Sequence, residues 1–160
     1  MKLAIYPGSF DPFTKGHLDI VKRAADIFDK LIICVMVNAE KNPLFTVEER
    51  VEMVSRVTKN IPNVVADSSS DLLADYAREK GAKVVLRGLR VVSDYERECQ
   101  MALINKKINP ELDTFLLPAT ERYTYLSSTV VKELAFYGGD LEEFVPQEIL
   151  PDILAKINRR

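Results

Sequence analysis

Little in this 160-residue sequence points to a metal centre, a disulfide scaffold or a membrane protein. It has two cysteines, Cys34 and Cys99, and one histidine, His17. The cysteines have neither metal-ligand nor C-x-x-C spacing. Cys34 lies in an apolar run and Cys99 in a helical pattern, so both read as reduced packing residues. No apolar run approaches the length of a membrane span, and Met1–Pro7 is too short before its proline for a secretory signal. Charge is nearly balanced, 22 Lys and Arg against 24 Asp and Glu. The formal net charge of −2 offers no general attraction to nucleic acid or acidic membranes. Internal repeats, low-complexity tracts and linkers are missing too, as are a Walker A loop, a G-x-G-x-x-G fingerprint and a recognisable nucleophile–base pair. What remains is a cytoplasmic protein read as a single domain over residues 1–160, large enough for one sizeable core.

What is present is an alternation. Leu3–Tyr6, Leu31–Val37, Val64–Ala66, Lys83–Leu86 and Thr114–Leu117 are apolar strand-like runs, and helical patterns separate them. Thr46-x-x-Glu49 is a capping box ahead of a Val47, Val51, Val54, Val57 face. Asp67 and the serines at 68–70 are candidate caps for a helix that stops at Gly81. Ser93-x-x-Glu96 caps a helix reaching about Lys107, and Ser127 or Ser128 starts one ending at Gly138-Gly139. Residues 141–157 read as helical, with Pro151 tolerated in a first turn. This pattern predicts an α/β fold: a doubly wound, Rossmann-like five-stranded parallel sheet with helices on both faces, in the order 3-2-1-4-5. In that order strands 1 and 4 are neighbours, and their carboxyl ends flank the switch-point crevice where ligands bind.

The first of those ends carries Pro7-Gly8-Ser9-Phe10-Asp11-Pro12-Phe13-Thr14-Lys15-Gly16-His17, a bent polar loop entering an amphipathic segment, Leu18–Phe28. Glycines there let backbone approach a ligand, and free N–H groups at a helix start favour phosphate. His17, in the first turn, is placed to donate to a phosphate oxygen as charge builds on it. At the fourth strand, Arg87-Gly88-Leu89-Arg90 reads as a loop holding a phosphate clamp. Lys41, just past the second strand, is placed to reach over the same crevice or to be a solvated loop lysine. Tyr123-Thr124-Tyr125-Leu126-Ser127-Ser128-Thr129 gathers hydroxyls where a loop becomes a helix, either as ordinary caps or as a second anion site.

These four motifs, in this order and spanning nearly the whole chain, resemble the T/H-x-G-H nucleotidylyltransferase superfamily, and within it the bacterial phosphopantetheine adenylyltransferases. Ser9 stands where many relatives have threonine, and Leu126 where the superfamily's I-S-S-S/T signature has isoleucine. The resemblance implies transfer of the adenylyl group of ATP to 4′-phosphopantetheine, giving dephospho-coenzyme A and pyrophosphate. It implies His17, Lys41 and Arg90 as the catalytic residues. It places ATP against Ser9, Phe10, His17, Gly88, Leu89, Arg90, Glu98 and residues 123–129, that is Tyr123, Thr124, Tyr125, Leu126, Ser127, Ser128 and Thr129. It places the acceptor against Ser9, Lys41, Leu73 and Arg87. Mg²⁺ is expected to arrive with the nucleotide, since no dedicated ligand cluster is visible. The family is typically a homo-hexamer. A cytidylyltransferase with another acceptor and a non-catalytic nucleotide-binding module are the competing readings. Lys41 and Leu73 argue against the first, and the intact histidine and clamp arginines against the second.

Overall fold

Leu31, Ile33 and Val35 belong to one apolar cluster while Ile32 and Cys34, between them, belong to another. All five are at most 5% exposed, so this strand needs cover on both faces. In the computed structural model, which describes residues 1–38 and 42–158, it is β2 (Lys30–Met36). It lies between β1 (Leu3–Gly8) and β3 (Val64–Ser69). With β4 (Val84–Leu89) and β5 (Asp113–Pro118) these form an all-parallel sheet in the expected order, β3-β2-β1-β4-β5.

The larger cluster lies under α1 (Lys15–Ala25), α2 (Val47–Thr58), α5 (Ser128–Phe136) and α6 (Leu150–Ile157), which bring Ile20, Val21, Val54, Val131 and Ile153 to it. The other face carries α3 (Leu73–Lys80), whose Ala74, Tyr76 and Ala77 pack on Ile5, Ile32 and Val85. Each fully buried Val, Leu or Ile contributes about 1.5–3 kcal/mol. Cys34 belongs to this second core, and burial pushes its thiol up to about 11; both cysteines are free. The last helix of the set, α4 (Val92–Ile108), buries only Asn105 and leaves Val92 82% and Leu103 72% exposed. Among the described residues, no helix is long and apolar enough to cross a membrane.

Several boundaries differ from the sequence expectation, each for a reason that lies in a neighbouring element. Asp67, Ser68 and Ser69 do not cap a helix. They extend β3, laddered to Cys34, Val35 and Met36, and α3 starts at Leu73 with no side-chain cap. Ser93 does not cap α4, because the Asp94 carboxylate accepts the N–H groups of Arg90 and Val91 and starts the helix earlier. Residues 141–149 form turns rather than helix, and Pro151 sits in the first turn of α6 as expected. Arg87, Gly88 and Leu89 are not a loop; they continue β4, paired with Leu116, Leu117 and Pro118.

Candidate active site

The central seam of the sheet comes apart at its carboxyl end. β1 pairs with β2 as far as Gly8, and β4 with β5 as far as Leu89. Between themselves, β1 and β4 pair only at Ala4–Val84 and Ile5–Val85. Beyond that point the strands part, and a cavity of about 530 Å³ opens between Tyr6–His17 on one side and Arg87–Glu98 on the other. Arg87 spans the gap, its Nη1 donating to the Pro7 carbonyl at 2.7 Å. A second cavity of about 260 Å³ shares Ser9, Arg87 and Glu98 with the first and extends to Leu73 and Asn105.

His17 is held by a modified capping box. Its backbone N–H donates to Thr14 Oγ1 at 3.2 Å, and its ring Nδ1 accepts the Thr14 N–H at 3.0 Å, where glutamate is usual. A ring nitrogen that accepts a backbone N–H carries no proton, so the proton sits on Nε2. That N–H is what the ring offers to a ligand. Phe10 and Phe13 pack on the imidazole with centroids at 5.0 and 5.4 Å. Burial, then the Arg90 and Arg87 charges, push the pKa of His17 from 6.5 down to about 3. The imidazole is a neutral donor at physiological pH.

A measurable acid sensitivity follows. The unfolded chain protonates His17 near pH 6.5, whereas the folded chain resists to about 3. Stability is therefore lost as pH falls through this window and is unaffected above it, by up to about 1.4 kcal/mol per pH unit. Denaturant unfolding of wild type and His17→Asn should give a constant difference above pH 6.5 that shifts in favour of the variant below it. Parallel curves throughout would contradict the buried neutral ring.

The glycines divide their tasks differently from the sequence expectation. A Cβ at Gly8 would meet the Phe10 ring at 3.0–3.2 Å, so its missing side chain makes room for Phe10 rather than for a ligand alone. Phe10 holds a left-handed φ of 48°, rare without a glycine, and is 2% exposed between Tyr6, Phe13 and His17. Gly8→Ala should cost about 1–3 kcal/mol in thermal or denaturant unfolding, because a core ring has to move. An unchanged melting temperature would show that the ring yields freely. At Gly16 and Gly88 a Cβ would make only ordinary contacts, at 3.5 Å or more.

Arg87 forms a two-pronged ion pair with Glu98, Nε to Oε2 and Nη2 to Oε1, both at 2.9 Å. The Glu98 side chain is 13% exposed, and it is no solvated helix residue. Arg90 donates to the Leu126 carbonyl at 3.2 Å and pairs with Asp94 at 3.3 Å, tying the end of β4 to the loop before α5. Ser127 is the N-cap of α5, accepting from Val130 N–H, and Ser128 Oγ donates to Pro12 O at 2.8 Å.

Of the residues singled out from sequence, Ser9, Phe10, His17, Arg87, Gly88, Arg90, Glu98, Tyr123, Leu126, Ser127, Ser128 and Thr129 line the larger cavity. Leu73 lines the smaller one. Leu89, Thr124 and Tyr125 line neither. Leu89 is the last residue of β4, Thr124 Oγ1 donates to Glu121 O, and Tyr125 is 63% exposed with its ring edge-on to Phe144. Lys41 lies outside the described residues.

The structure adds residues that the sequence did not single out. Lys132 lines the larger cavity one helical turn after Ser128, an i, i+4 spacing that was visible in the sequence. Asp11, Arg50 and Arg97 line it too. Asn105, 8% exposed, lines the smaller cavity. Among the described residues, the larger cavity has Arg50, Arg87, Arg90, Arg97 and Lys132 against Asp11, Asp94 and Glu98. Each of those carboxylates already accepts N–H donors. The surplus is positive, as a polyanionic ligand requires.

No group of three or more His, Cys, Asp or Glu among the described residues is placed to hold a metal ion. This donor set fits a divalent ion carried on ligand phosphates better than one held in a protein cage.

Comparison with known proteins agrees with this geometry. The cytidylyltransferase-like family model matches residues 5–134. A phosphopantetheine adenylyltransferase of Clostridium botulinum (strain 657) is 53% identical over 160 residues, covering 100% of this chain and 98% of its own. Among solved structures, a nicotinic acid mononucleotide adenylyltransferase of Plasmodium falciparum complexed with NaAD superposes with a TM-score of 0.66 at 14% identity. It is matched over 98% of this chain and 94% of its own. A bifunctional NMN adenylyltransferase/ADP ribose pyrophosphatase of Francisella tularensis, complexed with AMP and a Mn ion, superposes at 0.67 with 16% identity. There the match covers 99% of this chain and 53% of the other. The last two show the shared fold. Matched by the family model over most of its length and by a close relative over all of it, the chain belongs to the cytidylyltransferase-like family and, within it, to the phosphopantetheine adenylyltransferases.

Proposed function

We propose that this chain transfers the adenylyl group of ATP to 4′-phosphopantetheine, forming dephospho-coenzyme A and pyrophosphate. The observation that carries this reading is the parted seam between β1 and β4, where a neutral Nε2–H donor, two helix starts and a cationic surplus converge on one cavity. The acceptor phosphate is already an anion. An oxygen of it attacks the α-phosphorus of ATP, a P–O bond forms, and the bond to pyrophosphate breaks with its electron pair leaving on that group. No general base is needed, so catalysis rests on positioning and charge neutralisation.

In this reading His17 donates to the α-phosphate oxygens as charge redistributes, and Arg90 and Lys41 share that charge. Ser9 sits at the junction of the two cavities, where both substrates meet. Phe10, Gly88, Glu98, Tyr123 and residues 126–129 form the nucleotide side, with Lys132 as an added cation. Arg87 seats the acceptor phosphate through the guanidinium N–H groups left over from Glu98 and Pro7. The smaller cavity takes the pantetheine arm: Leu73 offers apolar contact, and the Asn105 amide suits an arm that itself contains amides. Mg²⁺, entering on the triphosphate, supplies further charge neutralisation when bound.

The apolar exposure along α4, with Val92, Leu103, Met101 and Ile104 each at least 44% exposed, supports association into a homo-hexamer. Residues 1–160 then act as one catalytic domain in the cytoplasm. The deciding experiment is pyrophosphate release from Mg-ATP with and without 4′-phosphopantetheine, repeated with CTP. Release that depends on ATP and the acceptor supports the reading. Release with CTP alone as nucleotide, or no release at all, overturns it.

A further inference from the structure

We propose that Asp11 is a positioning residue of this site: its buried carboxylate fixes the spacing between the wall of residues 42–46 and the wall made by α5, without itself touching substrate or metal. The inference rests on the function proposed above. Asp11 lines the cavity yet is only 4% exposed. Oδ1 accepts the Phe45 N–H at 2.9 Å, and Oδ2 accepts the Leu44 N–H at 2.8 Å and the Lys132 ammonium at 3.3 Å. One carboxylate thus joins the loop after β1, the segment leading into α2, and α5.

Two further ties converge on the same loop. Arg50, 4% exposed, donates to Ser9 O at 2.9 Å and to Thr46 O at 3.2 Å. Ser128 Oγ donates to Pro12 O. Ser9, Asn42, Ser128 and Lys132 all line the cavity, so the donors and cations facing the ligand hang from walls whose separation Asp11 and its neighbours set. A free cavity carboxylate would repel phosphate and attract a metal ion. With both oxygens occupied by donors, this one does neither.

Asparagine is the discriminating substitution. It keeps the shape but has one acceptor oxygen, and its NH₂ faces donors. Asp11→Asn should lower kcat roughly 10–10²-fold, the scale set by sub-ångström to ångström misplacement of reacting groups. The Mg²⁺ concentration dependence and the ATP dissociation constant should be little changed. Combined with Lys132→Met, the loss should be less than the product of the two single losses, since both cut the same tie.

Hydrogen exchange gives a readout independent of turnover. In Asp11→Asn the Leu44 and Phe45 amides should lose protection, and the loss should extend to the first turn of α5. Wild-type kcat well below the melting temperature would reduce Asp11 to a structural tie. A raised Mg²⁺ requirement would make it a metal ligand, and exchange changes confined to 44–45 would deny the coupling of walls. Any of these overturns the proposal. If wild type itself releases no pyrophosphate, the function fails, while the exchange experiment still decides the role of Asp11. Should Asp11→Asn not fold, Lys132→Met alone, which spares both backbone bonds, carries the same exchange test at the α5 side.

Discussion

Replacing His17 with alanine should lower kcat roughly 10²–10³-fold, about 3–4 kcal/mol of transition-state stabilisation, while leaving ATP affinity nearly intact. The imidazole is neutral, its Nδ1 is committed to the Thr14 N–H, and three aromatic rings surround it. It therefore presents one N–H in one direction and needs no reorganisation when charge moves onto the phosphate. A neutral donor adds little to ground-state binding of an anion already held by guanidinium groups, which is why the loss should fall on kcat. With its pKa near 3, His17 should contribute no inflection near pH 6.5 to the rate profile. His17→Asn, which keeps an N–H donor at a different reach, should recover part of the rate. Near-normal turnover in folded His17→Ala would remove the residue from the mechanism.

The second large effect separates the two arginines. Arg87→Ala should mainly raise KM for 4′-phosphopantetheine, and Arg90→Ala should mainly depress kcat. The acceptor phosphate is anionic before attack, so a cation that holds it acts equally in ground and transition states and changes KM. Arg90 is tied to Leu126 O, and in the proposed reading it meets the phosphates where charge redistributes. One complication is built into the structure: truncating Arg87 leaves Glu98 as a buried carboxylate without its partner. The clean comparison is therefore Arg87→Ala together with Glu98→Gln. Lysine should rescue either position only partly, since a point charge cannot replace a fork. If Arg87→Ala weakens ATP and spares the acceptor, the two substrates have been placed the wrong way round.

The sheet order was legible because each strand and helix announces itself through local periodicity, and short right-handed crossovers leave few ways to arrange them. The carboxyl ends of the strands were not. Asp67, Ser68 and Ser69 look like a cap until β2 supplies their ladder partners, and Arg87-Gly88-Leu89 looks like a turn until β5 does. A polar residue at a strand end is assigned by a neighbour about thirty residues away. Sequence separation also hid the Asp11–Leu44 tie, 33 residues apart, and the Asp11–Lys132 tie, 121 apart, whereas the Thr14-x-x-His17 spacing carried a readable signal: a capping box with imidazole in the place of glutamate. Most of the described motif residues border the two cavities, while Leu89, Thr124 and Tyr125 do not.

The parted seam has a consequence for the molecule when nothing is bound. β3-β2-β1 and β4-β5 are each laddered to their tips, but the backbone pairs one group with the other only at Ala4–Val84 and Ile5–Val85, and the Arg87 side chain on Pro7 O bridges the parted end. A ligand lying across the gap supplies the rungs that the backbone omits, and it does so for the folded chain alone. Its binding energy therefore appears as cohesion between the halves, about 2.7 kcal/mol at a hundredfold excess over Kd. The proposed substrate opening is thus also the least laddered line in the sheet, and in that reading the substrates close it.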